Sequence, residues 1–116
     1  MMTALEVINR VDERMHNGFT REEKLHWLQE LEMMVFQLMK RCGLEREPEP
    51  MQEETVLAVP APYAALYDRW LEAQMDYTNQ EYLKYNNAMA VFQALWQEYA
   101  NSLRREHPGQ GRRAFF

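Results

Sequence analysis

Apolar residues recur at helical spacing along most of this chain. Ala4, Val7, Ile8, Val11 and Met15 fall three or four positions apart, which puts them on one face of a first helix. Thr3 and Glu6 stand before it with the spacing of a capping box, where the Thr side chain takes an N–H and the Glu side chain reaches back. Asn17-Gly18 is the expected stop, since glycine accepts a left-handed conformation cheaply. Thr20 and Glu23 repeat the box, and a second helix is predicted from about Arg21 to Cys42, with Gly43 as its C-terminal stop. Arg21, Glu22 and Glu23 open it and Lys40 and Arg41 close it, the acids and the closing bases complementing the helix dipole. Its apolar residues (Leu25, Trp27, Leu28, Leu31, Met34, Val35, Phe36, Leu38 and Met39) cover more than half of the circumference. A surface helix needs a narrower stripe. The second helix is therefore expected at the centre of a bundle, or with one side turned to a partner, and Leu28, Leu31, Val35 and Leu38 are expected in the core.

The pattern changes over residues 44–62. Acids and prolines alternate through Glu45–Pro50, which resists helix, and Val56-Leu57-Ala58-Val59 reads as a short extended run. Pro62 suits the first turn of a third helix carrying Tyr63, Leu66, Tyr67, Trp70 and Leu71. From Leu71 a three-four alternation continues through Met75, Thr78, Tyr82, Tyr85, Met89, Phe92, Trp96, Tyr99 and Leu103. No Gly or Pro interrupts residues 63–107. Two readings stay open: one long helix, or a break or kink near Thr78, where Thr78 and Glu81 repeat the capping-box spacing. His107-Pro108-Gly109 ends the pattern, and residues 108–116 read as an extended tail. The fold class is all-α: a small helical bundle over residues 1–107 with a long C-terminal helix, an acidic linker at 44–62 and a separate tail.

Composition narrows the function. The chain has 116 residues, enough for one core, and its β-branched residues and glycines are too few for a sandwich or barrel. The formal net charge of −5 gives no overall attraction to nucleic acid. Charge is unevenly placed, with Glu45, Glu47, Glu49, Glu53 and Glu54 in the linker and Arg104, Arg105, Arg112 and Arg113 at the other end. Cys42 is the sole cysteine, which fits a reducing compartment. Neither a secretory leader nor a membrane span is expected.

Catalytic patterns are lacking. His16, His26 and His107 are far apart in sequence, so no metal site is expected. Cys42 falls at a helix C-terminus, whose carbonyls disfavour an anion, and is not read as a nucleophile. The glycines are too dispersed for a phosphate loop. The acid pairs Glu22–Glu23, Glu30–Glu32 and Asp68–Glu72 read as solvated helix faces. No enzyme activity and no cofactor are expected.

Two features point to protein contacts. Tyr and Trp anchor interfaces, and Tyr77, Tyr82, Tyr85, Trp96 and Tyr99 are candidate interface residues on a seam otherwise suited to a core. Asn86-Asn87 falls mid-helix, where Asn is a poor former, and a buried Asn can fix helix register. In the tail, Arg112, Arg113, Phe115 and Phe116 have the composition of a hook that orders on a partner.

Several blocks also resemble a family. These are Asn17-Gly18-Phe19-Thr20 followed by Glu23-Lys24-Leu25-His26-Trp27-Leu28-Gln29-Glu30-Leu31, then Val59-Pro60-Ala61-Pro62-Tyr63 with Leu66-Tyr67, and then Asp76-Tyr77, Glu81-Tyr82, Tyr85-Asn86-Asn87 and Phe92. Over roughly residues 5–105 the chain resembles small head–tail connector, or adaptor, proteins of tailed phages and prophages of Gram-positive bacteria. The resemblance implies a helical subunit of a ring, most simply twelvefold, beneath the portal. The portal protein, the adjacent neck protein and further copies of the chain would be its partners. The genome would pass through the ring without sequence-specific binding. It implies synthesis in the host cytoplasm and residence in the virion neck. The alternative from another class is a small helical regulatory module acting on a host or phage protein.

Overall fold

A computed structural model describes residues 2–107 as four helices: α1 (Ala4–Arg14), α2 (Arg21–Arg41), α3 (Ala65–Thr78) and α4 (Tyr82–Glu106). The all-α expectation holds. The residues expected in the core of α2 are there, with Leu28, Leu31 and Val35 fully buried and Leu38 nearly so. Val7, Ile8 and Val11 of α1 and Leu66, Tyr67, Leu71 and Met75 of α3 complete its centre.

The centre of the bundle is α3, not α2 as the wide apolar set suggested: α3 packs on all three other helices. Instead α2 turns Met34 of that set outward, exposed together with its neighbour Met33. Both open readings of the C-terminal pattern are resolved in favour of a break. Trp70 meets Phe92 at 5.2 Å between ring centroids and Tyr63 meets Tyr99 at 5.9 Å, so α3 and α4 run antiparallel. The sustained seam is thus two facing halves of a hairpin. Its turn does not use the Thr78 capping box. The Thr78 hydroxyl donates back to the Gln74 carbonyl at 2.8 Å, and α4 starts from Glu81 without a side-chain cap.

The first helix ends earlier than expected, and Gly18 is not left-handed; among the described glycines only Gly43 is, at φ 86. The exit from α1 is organised by Asn17, whose side chain donates to Asp12 and to the Met15 carbonyl and accepts from the Phe19 amide. The box at Thr20 and Glu23 forms in both directions. Pro62 precedes α3 rather than opening it, because residues 60–64 turn first and Tyr63 N–H donates to Pro60 C=O.

The linker is strapped to the bundle by the orphan donors of α1. Ala4 and Leu5 N–H groups donate to the Thr55 and Glu53 carbonyls, both at 2.9 Å, where a free helix end would need water. Leu57 N–H donates to Met2 C=O, and Leu57 and Val59 alternate inward as an extended run requires.

Four charged side chains expected or free to face solvent are buried, Lys24, Glu32, Asp68 and Asp76, and the first three are paired. Lys24 pairs with Asp12 at 2.8 Å. Asp68 accepts from Arg10 and Arg14. Glu32 accepts from the Tyr67 hydroxyl at 2.6 Å and the Ala58 amide at 2.9 Å, and Tyr67 in turn accepts from the Val59 amide. The pairs Glu30–Glu32 and Asp68–Glu72 are therefore not wholly solvated faces. Glu32 falls on an apolar stripe between Leu28 and Val35 and Asp68 between Ala64 and Leu71, and there a carboxylate needs donors.

Candidate protein interface

The α3–α4 hairpin gathers three of the five candidate tyrosines and tryptophans at its tip. Tyr77 stands at the end of α3 and Tyr82 and Tyr85 in the first turn of α4. Residues Thr78–Glu81 reverse the chain between them, with Gln80 left-handed at φ 61. Asn79 N–H donates to Met75 C=O and Glu81 N–H to Asp76 C=O, which fixes the reversal. The Tyr77 ring lies 5.6 Å from that of Tyr82 and 5.2 Å from that of Tyr85. Tyr77 is 56% and Tyr82 53% exposed, and Leu83 beside them is 81% exposed. Leu83 escapes the sequence reading because it lies off the seam. Its signal is being the lone aliphatic residue between Tyr82 and Lys84.

Trp96 and Tyr99 are not part of this surface. They lie three turns and more along α4, where Trp96 stacks on Phe92 at 6.0 Å and is half-buried. Tyr99 is only 4% exposed and its hydroxyl is pushed up to about 12, chiefly by burial, so it belongs to the core rather than to an interface. Asn86 and Asn87 are exposed, which removes the buried-register reading for them. From Tyr85 to Gln97 the helix carries no charge, so its outward face over Asn86, Ala90, Ala94 and Gln97 is neutral. Depletion of charge is one mark of an interface core.

Beside the tip, Asp76 lines an open groove of ≈ 490 Å³ together with Arg14, Glu72, Lys84, Ala88 and Val91. Asp76 is 4% exposed and its Oδ1 has no hydrogen-bond partner among the described residues. Burial is the first cause that raises its carboxyl above the usual range; the charge of Glu81 adds to this and Lys84 opposes it. The cations around the groove are already engaged: Arg14 with Asp68 and Glu72, Arg69 with Glu72, and Lys84 with Glu81 at 2.8 Å.

Two Glu-x-x-His spacings do occur, at Glu13–His16 and Glu23–His26. They form no centre: Glu23 caps α2, His26 pairs with Glu30 at 3.2 Å, and His16 lies beyond the end of α1. Among the described residues no three His, Cys, Asp or Glu side chains converge for a metal. Cys42 is buried. A second groove, of ≈ 720 Å³, runs between α2 and the linker past Phe36, Arg46 and Met51, and Arg46 covers the Phe36 ring at 5.1 Å. No described helix is long and apolar enough to cross a membrane. The tail candidates Arg112, Arg113, Phe115 and Phe116 lie outside the described residues.

Comparison of the chain with models of known families, with curated proteins and with solved structures finds no match.

Proposed function

We propose that this chain is a structural connector subunit of a phage neck, joining a portal to the next neck protein as one member of a ring through which DNA passes. The motif blocks described above supply the family reading. The observation that carries a contact role is the hairpin tip, where Tyr77, Tyr82 and Leu83 stand in solvent on a turn held by backbone hydrogen bonds. Two tyrosines and a leucine exposed together supply the aromatic, apolar anchors that interfaces use, and a rigid hairpin presents them at little entropic cost. The neutral outer face of α4 suits lateral packing of identical copies. The chemistry asks nothing of a cofactor or a metal, and a ring lumen needs no base-specific contact with the genome.

The test is reconstitution with a portal ring from the same phage or prophage region, followed by electron microscopy. The expected result is an added ring of these subunits on the portal. Failure to bind the portal, together with absence of the chain from purified virions, overturns the reading.

A further inference from the structure

The hairpin tip has two features that one short peptide could satisfy together: a buried carboxylate oxygen without a donor and an exposed aromatic cluster. Asp76 Oδ1 is the unpartnered acceptor, and every cation lining its groove already serves another carboxylate. Ala88 and Val91 give the groove an apolar wall suited to the alkyl stem of a long cationic side chain. Tyr77 follows Asp76 on α3 and Tyr85 follows Lys84 on α4, and the Tyr77 ring contacts those of both Tyr82 and Tyr85. The complement is a guanidinium followed at short distance by an aromatic ring. This chain carries that complement at Arg112-Arg113-Ala114-Phe115-Phe116.

We infer that the hairpin tip of one copy receives residues 112–116 of the next copy, with Arg113 at Asp76 and Phe115 on the tyrosine cluster. A segment laid extended on this surface turns residues two apart to the same side, so Arg113 and Phe115 point together. The contact joins two copies because of reach. The 25 residues of α4 separate the tip from the start of the tail, a length of about 37 Å at 1.5 Å per residue. Positions 108–116, even drawn out fully, span about 30–32 Å. At full stretch the Phe116 backbone still ends about 5 Å short of that of its own Tyr82, so contact within one chain demands a taut tail, whereas a neighbouring copy can offer its tip to a relaxed one. A tail on one copy and a tip on another make a head-to-tail contact, which closes into a ring when the rotation permits. The inference thus rests on the ring reading above and names the joint. The acidic linker is a poorer acceptor: Glu53 already pairs with Arg21, Arg46 sits among its acids, and its one neighbouring aromatic, Phe36, is covered.

The test is sedimentation of the full chain and its variants at concentrations up to several hundred micromolar. Wild type should self-associate weakly. Phe115→Ala/Phe116→Ala should weaken this at least tenfold, and so should Tyr77→Ala/Tyr82→Ala; Asp76→Asn should weaken it several-fold. The decisive arm mixes the tail variant with the tip variant. Each retains the half that the other lacks, so the mixture should form pairs that grow no further. Circular dichroism on each variant confirms that the fold is kept, and Leu83→Ala serves as a second tip variant if Tyr77→Ala/Tyr82→Ala unfolds. Wild type that stays monomeric throughout, unaltered association of the variants, or a mixture that behaves as either variant alone overturns the inference. The assay contains this chain alone, so its outcome is separate from that of portal binding.

Discussion

The guanidinium of Arg10 on α1 meets the carboxylate of Asp68 on α3 through two hydrogen bonds, Nε to Oδ2 at 2.7 Å and Nη2 to Oδ1 at 2.6 Å. Arg14, one turn on, adds a third at 2.9 Å. Asp68 is almost fully buried while both arginines keep more than a third of their side chains in water. The pair therefore ties α1 to the central helix at one edge without stranding a cation in the core. The Arg10 guanidinium is held further toward its charged form, first by the hydrogen bond to Asp68.

Asp68→Asn should lower stability by about 1–3 kcal/mol. The change removes charge-assisted hydrogen bonds, and partial solvation of the two arginines limits the loss. Arg10→Ala should cost less, since Arg14 still serves Asp68. Urea unfolding of the three proteins gives the order. Equal stability of Asp68→Asn and wild type would show that the edge contact holds nothing.

Glu32 gives a pH dependence of the opposite sign to that of an ordinary ion-paired acid. Burial raises its carboxyl above 4.5, and the hydrogen bonds from Tyr67 and Ala58 only partly offset this. In the window between 4.5 and the raised value, the folded state holds more protons than the unfolded one. Stability contributed by this group is therefore full below 4.5 and falls as pH rises through that window. Subtracting the curve of Glu32→Gln from that of wild type isolates the term. A difference that rises with pH across this window would contradict the assignment.

The network around Glu32 also predicts a packing-independent loss. Tyr67→Phe keeps the ring but removes a donor to Glu32 and an acceptor for the Val59 amide. Two buried polar groups lose their partner, at about 1–3 kcal/mol for a group left unsatisfied. The linker should loosen with it, so amide exchange at Ala58 and Val59 should speed up before the rest of the core. Exchange unchanged at both positions would place the anchor of the linker elsewhere.

Core and tip should respond differently to the same chemical deletion. Leu31 is fully buried, and Leu31→Ala should cost about 2–5 kcal/mol. Leu83 is 81% exposed, and Leu83→Ala should stay within about 0.5 kcal/mol of wild type while weakening binding to a partner. Thermal melts and a portal pull-down separate the two readouts. A large stability loss at Leu83 would mean that it serves the hairpin and not a partner.

Much of this fold is legible in the chain because period and capping agree. The helix over Arg21–Arg41 follows from Thr20, Glu23 and Gly43, and the core face from Leu28, Leu31, Val35 and Leu38. Less legible is what depends on pairing between distant segments. Nothing local distinguishes Glu32 from Glu30 except its place on the apolar stripe, and its donors come from Tyr67 and Ala58, far along the chain. The centrality of α3 is hidden because a moderately apolar helix becomes central when three others choose it. The break after Thr78 was readable only as an ambiguity, since an unbroken heptad seam suits a single long helix and a hairpin folded on itself equally well. The tip was half visible: Tyr77, Tyr82 and Tyr85 stand out by type, whereas Leu83 and Asp76 acquire meaning only from where the turn places them.

The last prediction concerns the free protein. Among the described residues the exposed large apolar side chains are scattered, with Met33 and Met34 on α2, Val56 in the linker, Val91 on α4 and Tyr77, Tyr82 and Leu83 at the tip. A stable interface buries roughly 800 Å² on each partner around a packed core. Half-exposed tyrosines and one leucine fall well short of that area. A docked tail would add aromatic contacts, each Phe bringing about 1.5–3 kcal/mol if fully buried, but the ordering of the segment consumes part of it. The chain alone should therefore sediment near its monomer mass of 14.0 kDa at about 10 μM and begin to associate only well above that. Rings should appear when a template fixes the copies side by side and raises their effective concentration to the millimolar range. Deleting residues 112–116 should leave the melting temperature nearly unchanged and weaken ring formation on the template. A closed ring that persists at about 10 μM without any partner would show that the lateral contact is far larger than the exposed surface allows.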